Sequence, residues 1–276
     1  MENILALFDF AFIRNAFLAA LLASITCGMI GTYIVSRRIV FISGGITHAS
    51  FGGIGMGYYF GFNPILGAII FGILSALGIE FFTKKADLRE DSAIAMLWSL
   101  GMALGIIFIF LTPGYSPNLM SFLFGSILTV THADMLYIAI LSVIIVVLFI
   151  LFFRVIVMIA FDEEFARARN LPVRFFSYLL MALSSLVIVA SIRISGVILV
   201  LSLLTLPQAT ANLFTRKFRS IMIASIFIGF IGMVTGLFIS YLTDLPSGAT
   251  IILVLTAFFG IGEAILWVKK MIIKEN

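Results

Sequence analysis

Apolar runs of about 18 residues or more recur along nearly the whole of this 276-residue chain, and each can cross a hydrocarbon core about 30 Å thick as a helix. Within lipid, every backbone N–H and C=O group must be paired inside the protein, which favours helices for segments of this length. Hydrophobic residues make up 62% of the chain and charged residues 11%, a balance that excludes an ordinary soluble domain. The sequence therefore predicts an all-α, polytopic membrane helix bundle.

The apolar runs divide the chain into nine hydrophobic segments. They cover residues 14–36, 43–61, 64–82, 93–112, 134–158, 175–192, 195–214, 220–241 and 247–268. The seventh segment carries Pro207 in its interior, and a proline there interrupts the backbone hydrogen bonds of a helix. We therefore expect eight to nine segments, one of them broken or re-entrant near Pro207.

Basic residues are distributed unevenly between the two sides that these segments define. If every segment spans, fifteen of the seventeen Lys and Arg residues fall on one side, which the positive-inside rule identifies as the cytoplasm. We therefore predict one transmembrane domain, residues 1–276, in a cell membrane, with its N-terminus outside and its C-terminus cytoplasmic. The positive charge is then topological, and nucleic acid is not expected as a partner. The single cysteine, Cys27, excludes an internal disulfide and is expected to be buried.

The second segment places one of the two histidines, His48, among residues with little or no side chain. Those residues are Gly44, Gly45, Ala49, Gly52, Gly53 and Gly57, and their i, i+4 spacing predicts a surface that another helix or a second subunit can approach closely. His48 lies about ten residues beyond Arg38, roughly 15 Å into the bilayer at 1.5 Å per residue.

Two interpretations of His48 remain open from these residues. It is either a neutral histidine hydrogen-bonded to a neighbouring helix, or an intramembrane ligand on the path of a divalent transition metal. One histidine does not make a metal site, so the second interpretation requires another copy of the chain, other side chains or water. The other histidine, His132, precedes Asp134 at the predicted outer end of a helix, where a helix N-terminus explains the pair more simply than a cation site.

The most polar stretch, residues 161–174, lies on the predicted cytoplasmic side. Acidic residues 162–164 suit a helix N-terminus, Arg167 and Arg169 suit its last turn, and Asn170 and Pro172 suit its end. We expect Phe165 and Ala166 to be its apolar contacts. The loop is either a solvated connector or a docking helix for a cytoplasmic partner.

No segment of the chain supplies an energy source of its own. The sequence contains no G-x-x-x-x-G-K-[ST] loop for binding nucleotide phosphates, and the spans carry no chain of Asp, Glu and His for ion coupling. A transporter of this kind would take its energy from another protein.

Several stretches together resemble the ABC-3 family, the permease subunits of bacterial zinc, manganese and chelated-iron ABC importers. The resemblance covers nearly the whole chain and rests on residues 31–38 (GTYIVSRR) with 43–61, 123–128 (LFGSIL), 161–172, 195–211 and 244–250 (DLPSGAT). It implies a homodimer around a translocation path, cytoplasmic ATPases that use ATP, and an extracytoplasmic metal-binding protein. It also implies that this chain binds no cofactor and catalyses no reaction. The coupling residues that it implies are Asp162, Glu163, Glu164, Phe165, Ala166, Arg167, Leu171 and Pro172.

One position departs from the family pattern. Members often resemble G-D-A-x-S-H here, with an aspartate one helical turn before the histidine, but this chain has Gly44 at that position. The resemblance therefore implies that His48 contacts the metal on the translocation path, but this chain lacks the family's carboxylate. The expected function is import of a divalent transition metal; the alternatives are a permease of the same architecture for a metal chelate or other small nutrient, and a stand-alone ion-coupled carrier.

Overall fold

The computed structural model describes residues 11–85, 88–113, 127 and 130–275, and its regular structure is helical throughout. The helices are α1 (Ala11–Ser36), α2 (Val40–Phe60), α3 (Pro64–Lys85), α4 (Glu90–Leu111), α5 (His132–Phe161), α6 (Glu163–Ala168), α7 (Val173–Leu203), α8 (Leu206–Phe214), α9 (Phe218–Thr243) and α10 (Ser247–Glu275). The predicted segment at 123–128 lies outside the described residues except for Ile127, as does most of the connection between α4 and α5.

Seven helical stretches among the described residues are long and apolar enough to cross a membrane. They comprise α1, α3, α4, α5, the 42-residue stretch Val173–Phe214, α9 and α10. Helix α2 is of similar length and carries glycines, hydroxyl residues and His48, and it is not among these seven. Most of its residues are buried, chiefly against α3 and α4. The chain is thus a multi-pass membrane protein.

The stretch Val173–Phe214 contains two passes joined by a reversal. Cys27 on α1 contacts Ser191 through its Sγ atom (3.4 Å to Oγ) and accepts a hydrogen bond on its carbonyl from Gln208 Nε2 (2.9 Å). Residues 191 and 208 would lie roughly 26 Å apart on a straight helix. The chain turns back at Gly196, where φ is 80° and ψ is 166°, a backbone conformation that glycine adopts at little steric cost.

The returning pass is itself interrupted immediately before Pro207. Helix α7 ends at Leu203 and α8 begins at Leu206, so the predicted break near Pro207 is confirmed. Proline has no N–H to donate to the carbonyl four residues earlier, that of Leu203. Gln208 Nε2 donates to this carbonyl instead (3.3 Å) while it also holds Cys27 of α1. With α2 counted and the 42-residue stretch taken as two passes, the predicted eight to nine segments are confirmed as well.

The two ends of the bundle differ in charge. One end brings together Arg37, Lys84 and Glu163, with the start of α9 packed beside them through Phe161 and Phe218. We call it the basic end. The far end carries the turn after α2, the start of α5 and Arg193, which pairs with Asp134. Helix α2 runs between these ends and packs most extensively on α3 and α4.

Candidate functional site

His48 lies on α2 with its imidazole stacked on the indole of Trp98 from α4. The two ring centroids are 4.2 Å apart and the planes differ by 9°, which is a parallel stack. Both side chains are half-buried. Within the described part of the chain, His48 makes no hydrogen bond, so the hydrogen-bonded interpretation gains no support from these contacts and the ring nitrogens remain available.

Gly44, one turn before His48, faces the same indole. A Cβ atom at residue 44 would lie 3.2 Å from Trp98 Cζ3 and 3.5 Å from Leu201 Cδ2, closer to the ring than ordinary van der Waals contact. Trp98 therefore covers the space into which a side chain at residue 44 would extend. The aspartate expected there from the family pattern is absent, and an aromatic ring lies beside its place.

The small residues around His48 are in contact with two helices of the same chain. Gly45 faces Ile94, and Ala49 and Gly52 face Gly101. Ile94 and Gly101 both lie on α4. On the other side, Gly53 lies so close to the Gly67 carbonyl of α3 that a Cβ atom would overlap it. Gly57 likewise abuts Pro64 at the start of α3. Small residues thus allow backbone-to-backbone packing of α2 between α3 and α4.

No cluster of His, Cys, Asp and Glu side chains in the described ranges has the three members that would hold a metal. Cys27, predicted to be buried, is 1% exposed and beside Ser191, apart from His48 in the packing.

The second candidate site is α6, whose ends follow the local sequence signals. The Asp162 side chain accepts a hydrogen bond from Phe165 N (2.8 Å) and caps the N-terminus. At the other end, Asn170 has a φ of 58°, and the amides of Asn170 and Leu171 donate to the carbonyls of Arg167 (2.9 Å) and Ala166 (3.2 Å). This pair of bonds is a Schellman motif with asparagine in the left-handed position.

The side chains of α6 divide into a held face and an exposed face. Ala166 is fully buried and packs with Ile159, Val173 and Phe176. Phe165, the other expected apolar contact, is 48% exposed, and the Arg169 guanidinium lies over its ring at 5.3 Å. Glu164 and Pro172 are also exposed and Leu171 is half-buried. The exposed face therefore offers an aromatic ring, a carboxylate and basic side chains to a partner.

Glu163 anchors α6 to two other parts of the bundle. Its Oε2 accepts a hydrogen bond from Arg37 Nη2 (3.1 Å), in the connection between α1 and α2. Its Oε1 accepts hydrogen bonds from Lys84 Nζ at the end of α3 (2.8 Å) and from Arg167 Nη2 (3.0 Å). Lys84 also pairs with the buried Glu80. These groups surround a cavity of about 270 Å³ at the basic end. We call Glu163, Arg37, Lys84 and Arg167 the charge hub.

The charge hub holds Glu163 in its ionised form. Burial alone would raise the pKa of this carboxyl, but the hydrogen bonds and charges of Lys84, Arg37 and Arg167 outweigh it and lower the pKa below its usual value. The Arg37 pKa is raised even though burial opposes it, because Tyr33 and Glu163 favour the cation. The hub is thus a set of partly buried ion pairs. The pair of Arg89 with Asp91, in contrast, is exposed to solvent.

His132 at the far end is exposed and begins α5. Thr131 and Asp134 form a reciprocal capping box there, and Asp134 also pairs with Arg193 (3.0 Å and 3.1 Å). The simpler explanation by a helix N-terminus accounts for Asp134.

Three contacts were not predicted from the sequence: Trp98 on His48, Arg37 and Lys84 on Glu163, and Arg193 on Asp134. Each joins residues 50 or more positions apart, so no local spacing signals it. The one available hint was Trp98, the single tryptophan of its apolar segment.

Comparison with known proteins covers almost the entire chain. An uncharacterised membrane protein of Synechocystis sp. is 42% identical over 254 residues, which are 92% of this chain and 90% of that protein. The manganese transport system membrane protein MntC of Halalkalibacterium halodurans is 34% identical, over 95% of this chain and 91% of its own length.

A solved structure is similar to this chain in both fold and sequence. A chain in the structure of PsaBC from Streptococcus pneumoniae in complex with Fab superposes with a TM-score of 0.83 and 34% identity, covering 94% of this chain and 93% of that one. Residues 9–265 match the ABC 3 transport family. The chain therefore belongs to the ABC 3 transport family.

Proposed function

We propose that this chain is the membrane permease subunit of an ATP-driven importer of divalent transition-metal ions. In this proposal two copies form the translocation path, cytoplasmic ATPases dock on α6, and an extracytoplasmic metal-binding protein delivers the ion. The permease itself catalyses no reaction. The relatives named as manganese transport membrane proteins support the cargo class.

The observation that carries the proposal is the construction of α6. A six-residue helix has too few internal hydrogen bonds to be stable alone. Here two caps, a buried alanine and the charge hub hold it at the basic end, and its opposite face leaves Glu164 and Phe165 exposed. A solvated connector needs none of these restraints, whereas a docking helix that transmits force needs all of them.

The hub also supplies a route from the docking helix to His48. Arg37 bonds Glu163 and lies three residues before the start of α2, the helix that carries His48. The intervening Arg38 has a φ of 62°, so the connection turns sharply. A displacement of α6 would therefore reach α2 through a short connection. The predicted orientation, with the basic end in the cytoplasm, is the one that this route requires.

The test is metal uptake by the reconstituted complex. The permease is placed in liposomes with an ABC ATPase and a metal-binding protein from the same organism, and uptake of Zn²⁺, Mn²⁺ and Fe²⁺ is followed with and without ATP. We expect uptake that requires both ATP and the binding protein, and that His48→Ala reduces. Uptake without ATP would instead indicate a stand-alone carrier, and uptake restricted to a chelate would reject free ions as the cargo.

Docking is tested separately by co-purification. We expect the exposed Glu164→Lys change to weaken retention of the ATPase while the permease stays inserted. Arg89→Glu is a matched charge reversal at an exposed site outside α6 and should retain the ATPase. Equal retention by both variants would contradict the assignment of α6.

A further inference from the structure

The stack of His48 on Trp98 leaves the metal-binding atoms of the imidazole free. Stacking at 4.2 Å covers one face of the ring, whereas both nitrogens lie in the ring plane at its edge. His48 makes no hydrogen bond in the described ranges and is half-exposed. The indole thus restricts the orientation of the imidazole and leaves a nitrogen lone pair available to a cation.

The same indole also determines whether α2 can place a second metal-binding side chain beside His48. Residues 44 and 48 are one turn apart and share a face of the helix. Trp98 Cζ3 would lie 3.2 Å from a Cβ atom at residue 44, with Leu201 closing the other side at 3.5 Å. A carboxylate at residue 44 and the indole at residue 98 compete for one space, so Gly44 and Trp98 act as a pair.

The consequence is a face of α2 on which imidazole is the only metal-binding side chain within one turn of residue 48. Imidazole binds zinc and ferrous iron well, whereas manganese favours carboxylate and carbonyl oxygens and lies at the weak end of the divalent series. Resting on the proposed function, we infer that Trp98, paired with Gly44, is a specificity-determining residue that favours zinc over manganese. Its role is to orient His48 and to exclude a carboxylate from its side.

The first test is competitive uptake of Zn²⁺ and Mn²⁺ by the reconstituted complex. We expect the wild-type protein to favour zinc, and the double variant Gly44→Asp/Trp98→Ala to lower the zinc-to-manganese ratio at least about tenfold, since a carboxylate then has room beside His48. Gly44→Asp alone should lower the ratio less, because the indole still occupies the space. Trp267→Ala, at an exposed position on α10, is the matched control and should leave the ratio unchanged.

A second measurement does not depend on transport. The chain has two tryptophans, so in Trp267→Phe protein the fluorescence reports on Trp98. In the full-length permease in detergent we expect Zn²⁺ to change this emission, a chelator to reverse the change, and Mn²⁺ at the same concentration to have little effect. His48→Gln should abolish the zinc response.

The two failures are distinguishable. If the wild-type complex hydrolyses ATP but takes up none of Zn²⁺, Mn²⁺ and Fe²⁺, the proposed function fails. If it takes up metal but favours manganese, or if the double variant keeps the wild-type ratio, the proposed function stands and the role of Trp98 is overturned. An equal fluorescence response to Mn²⁺ and Zn²⁺ would also overturn it.

Discussion

The middle of α2 and the basic end of the bundle are stabilised in opposite ways. Around His48, the helices pack closely because glycines have no side chains: Gly53 against Gly67 and Gly52 against Gly101 bring the backbones into direct contact. At the basic end, α6 is held by long charged side chains that reach it from α3 and from the connection before α2. Apolar side chains gain little by leaving lipid for another helix, so close packing must hold the helices together around His48. Charged side chains can stabilise the protein only where water or a partner charge is near.

The largest effect should come from filling the space between two backbones. A methyl group at Gly53 would overlap the Gly67 carbonyl, so Gly53→Ala must separate α2 from α3. We expect a loss of roughly 3 kcal/mol, the upper part of the range for overpacking, or failure to assemble. Thermal unfolding in detergent, followed by size-exclusion chromatography, measures it.

Gly260→Ala is the matched control for Gly53→Ala. Nothing lies within 4 Å of a Cβ atom at residue 260 on α10. Alanine should there be neutral or slightly stabilising, because it favours helix more than glycine by about 1 kcal/mol. Equal melting temperatures for the two variants would show that shape does not hold the middle of α2.

Removal of the charge at the hub should have the next largest effect. Glu163→Gln keeps the shape of the side chain but leaves Arg37 and Lys84 without their shared anion. We expect a loss of about 1 to 2 kcal/mol, since charged hydrogen bonds are strong but the site is partly exposed. ATP-dependent uptake should fall more than ATPase retention, because α6 keeps its exposed face. Glu164→Gln is the neighbouring control and should leave the melting temperature unchanged.

Lowering the pH should reproduce the Glu163→Gln effect in the wild-type protein. The pKa of Glu163 is lowered by folding, so its contribution is fully present above the usual value of 4.5 and is lost as the pH falls through the lower folded value. The melting-temperature difference between wild type and Glu163→Gln should be constant from pH 7 to about pH 5 and shrink below that. A difference that grows with acidity would contradict the ionised hub.

The smallest effect is expected at the far end. Arg193 is 35% exposed where it meets Asp134, so Arg193→Gln should cost less than about 1 kcal/mol. Asp134 would keep its role in the cap of α5. A loss as large as that of Glu163→Gln would remove the distinction between a hub of several ion pairs at one end and a single ion pair at the other. Arg89→Gln, in the most exposed pair, serves as the reference for no effect.

Local signals in the sequence predicted much of this molecule. The predicted pattern of hydrophobic segments was confirmed because every span must satisfy its own backbone in lipid. The break near Pro207 was predictable because a missing N–H is a property of one residue. The ends of α6 followed in the same way from Asp162 and Asn170, whose side chain and φ angle act within a few residues.

The orientation of side chains was less predictable. Phe165 and Ala166 were both expected as apolar contacts of α6, but only Ala166 is buried within this chain, since so short a helix buries a single position and leaves its neighbours exposed. The small residues of α2 suggested one close neighbour, yet they divide between α3 and α4. A stripe on a helix indicates that something approaches closely, but not which helix does so.

The sequence by itself determined that this chain is an all-helical membrane protein with a broken pass, a capped polar helix and a histidine among small residues, because hydropathy and backbone chemistry act within one segment. Only the tertiary structure decided that Trp98 stacks on His48 beside Gly44, and that Glu163 joins Arg37 and Lys84, 126 and 79 residues away. Such contacts depend on how whole helices pack, and in this bundle the packing depends on where backbones can touch.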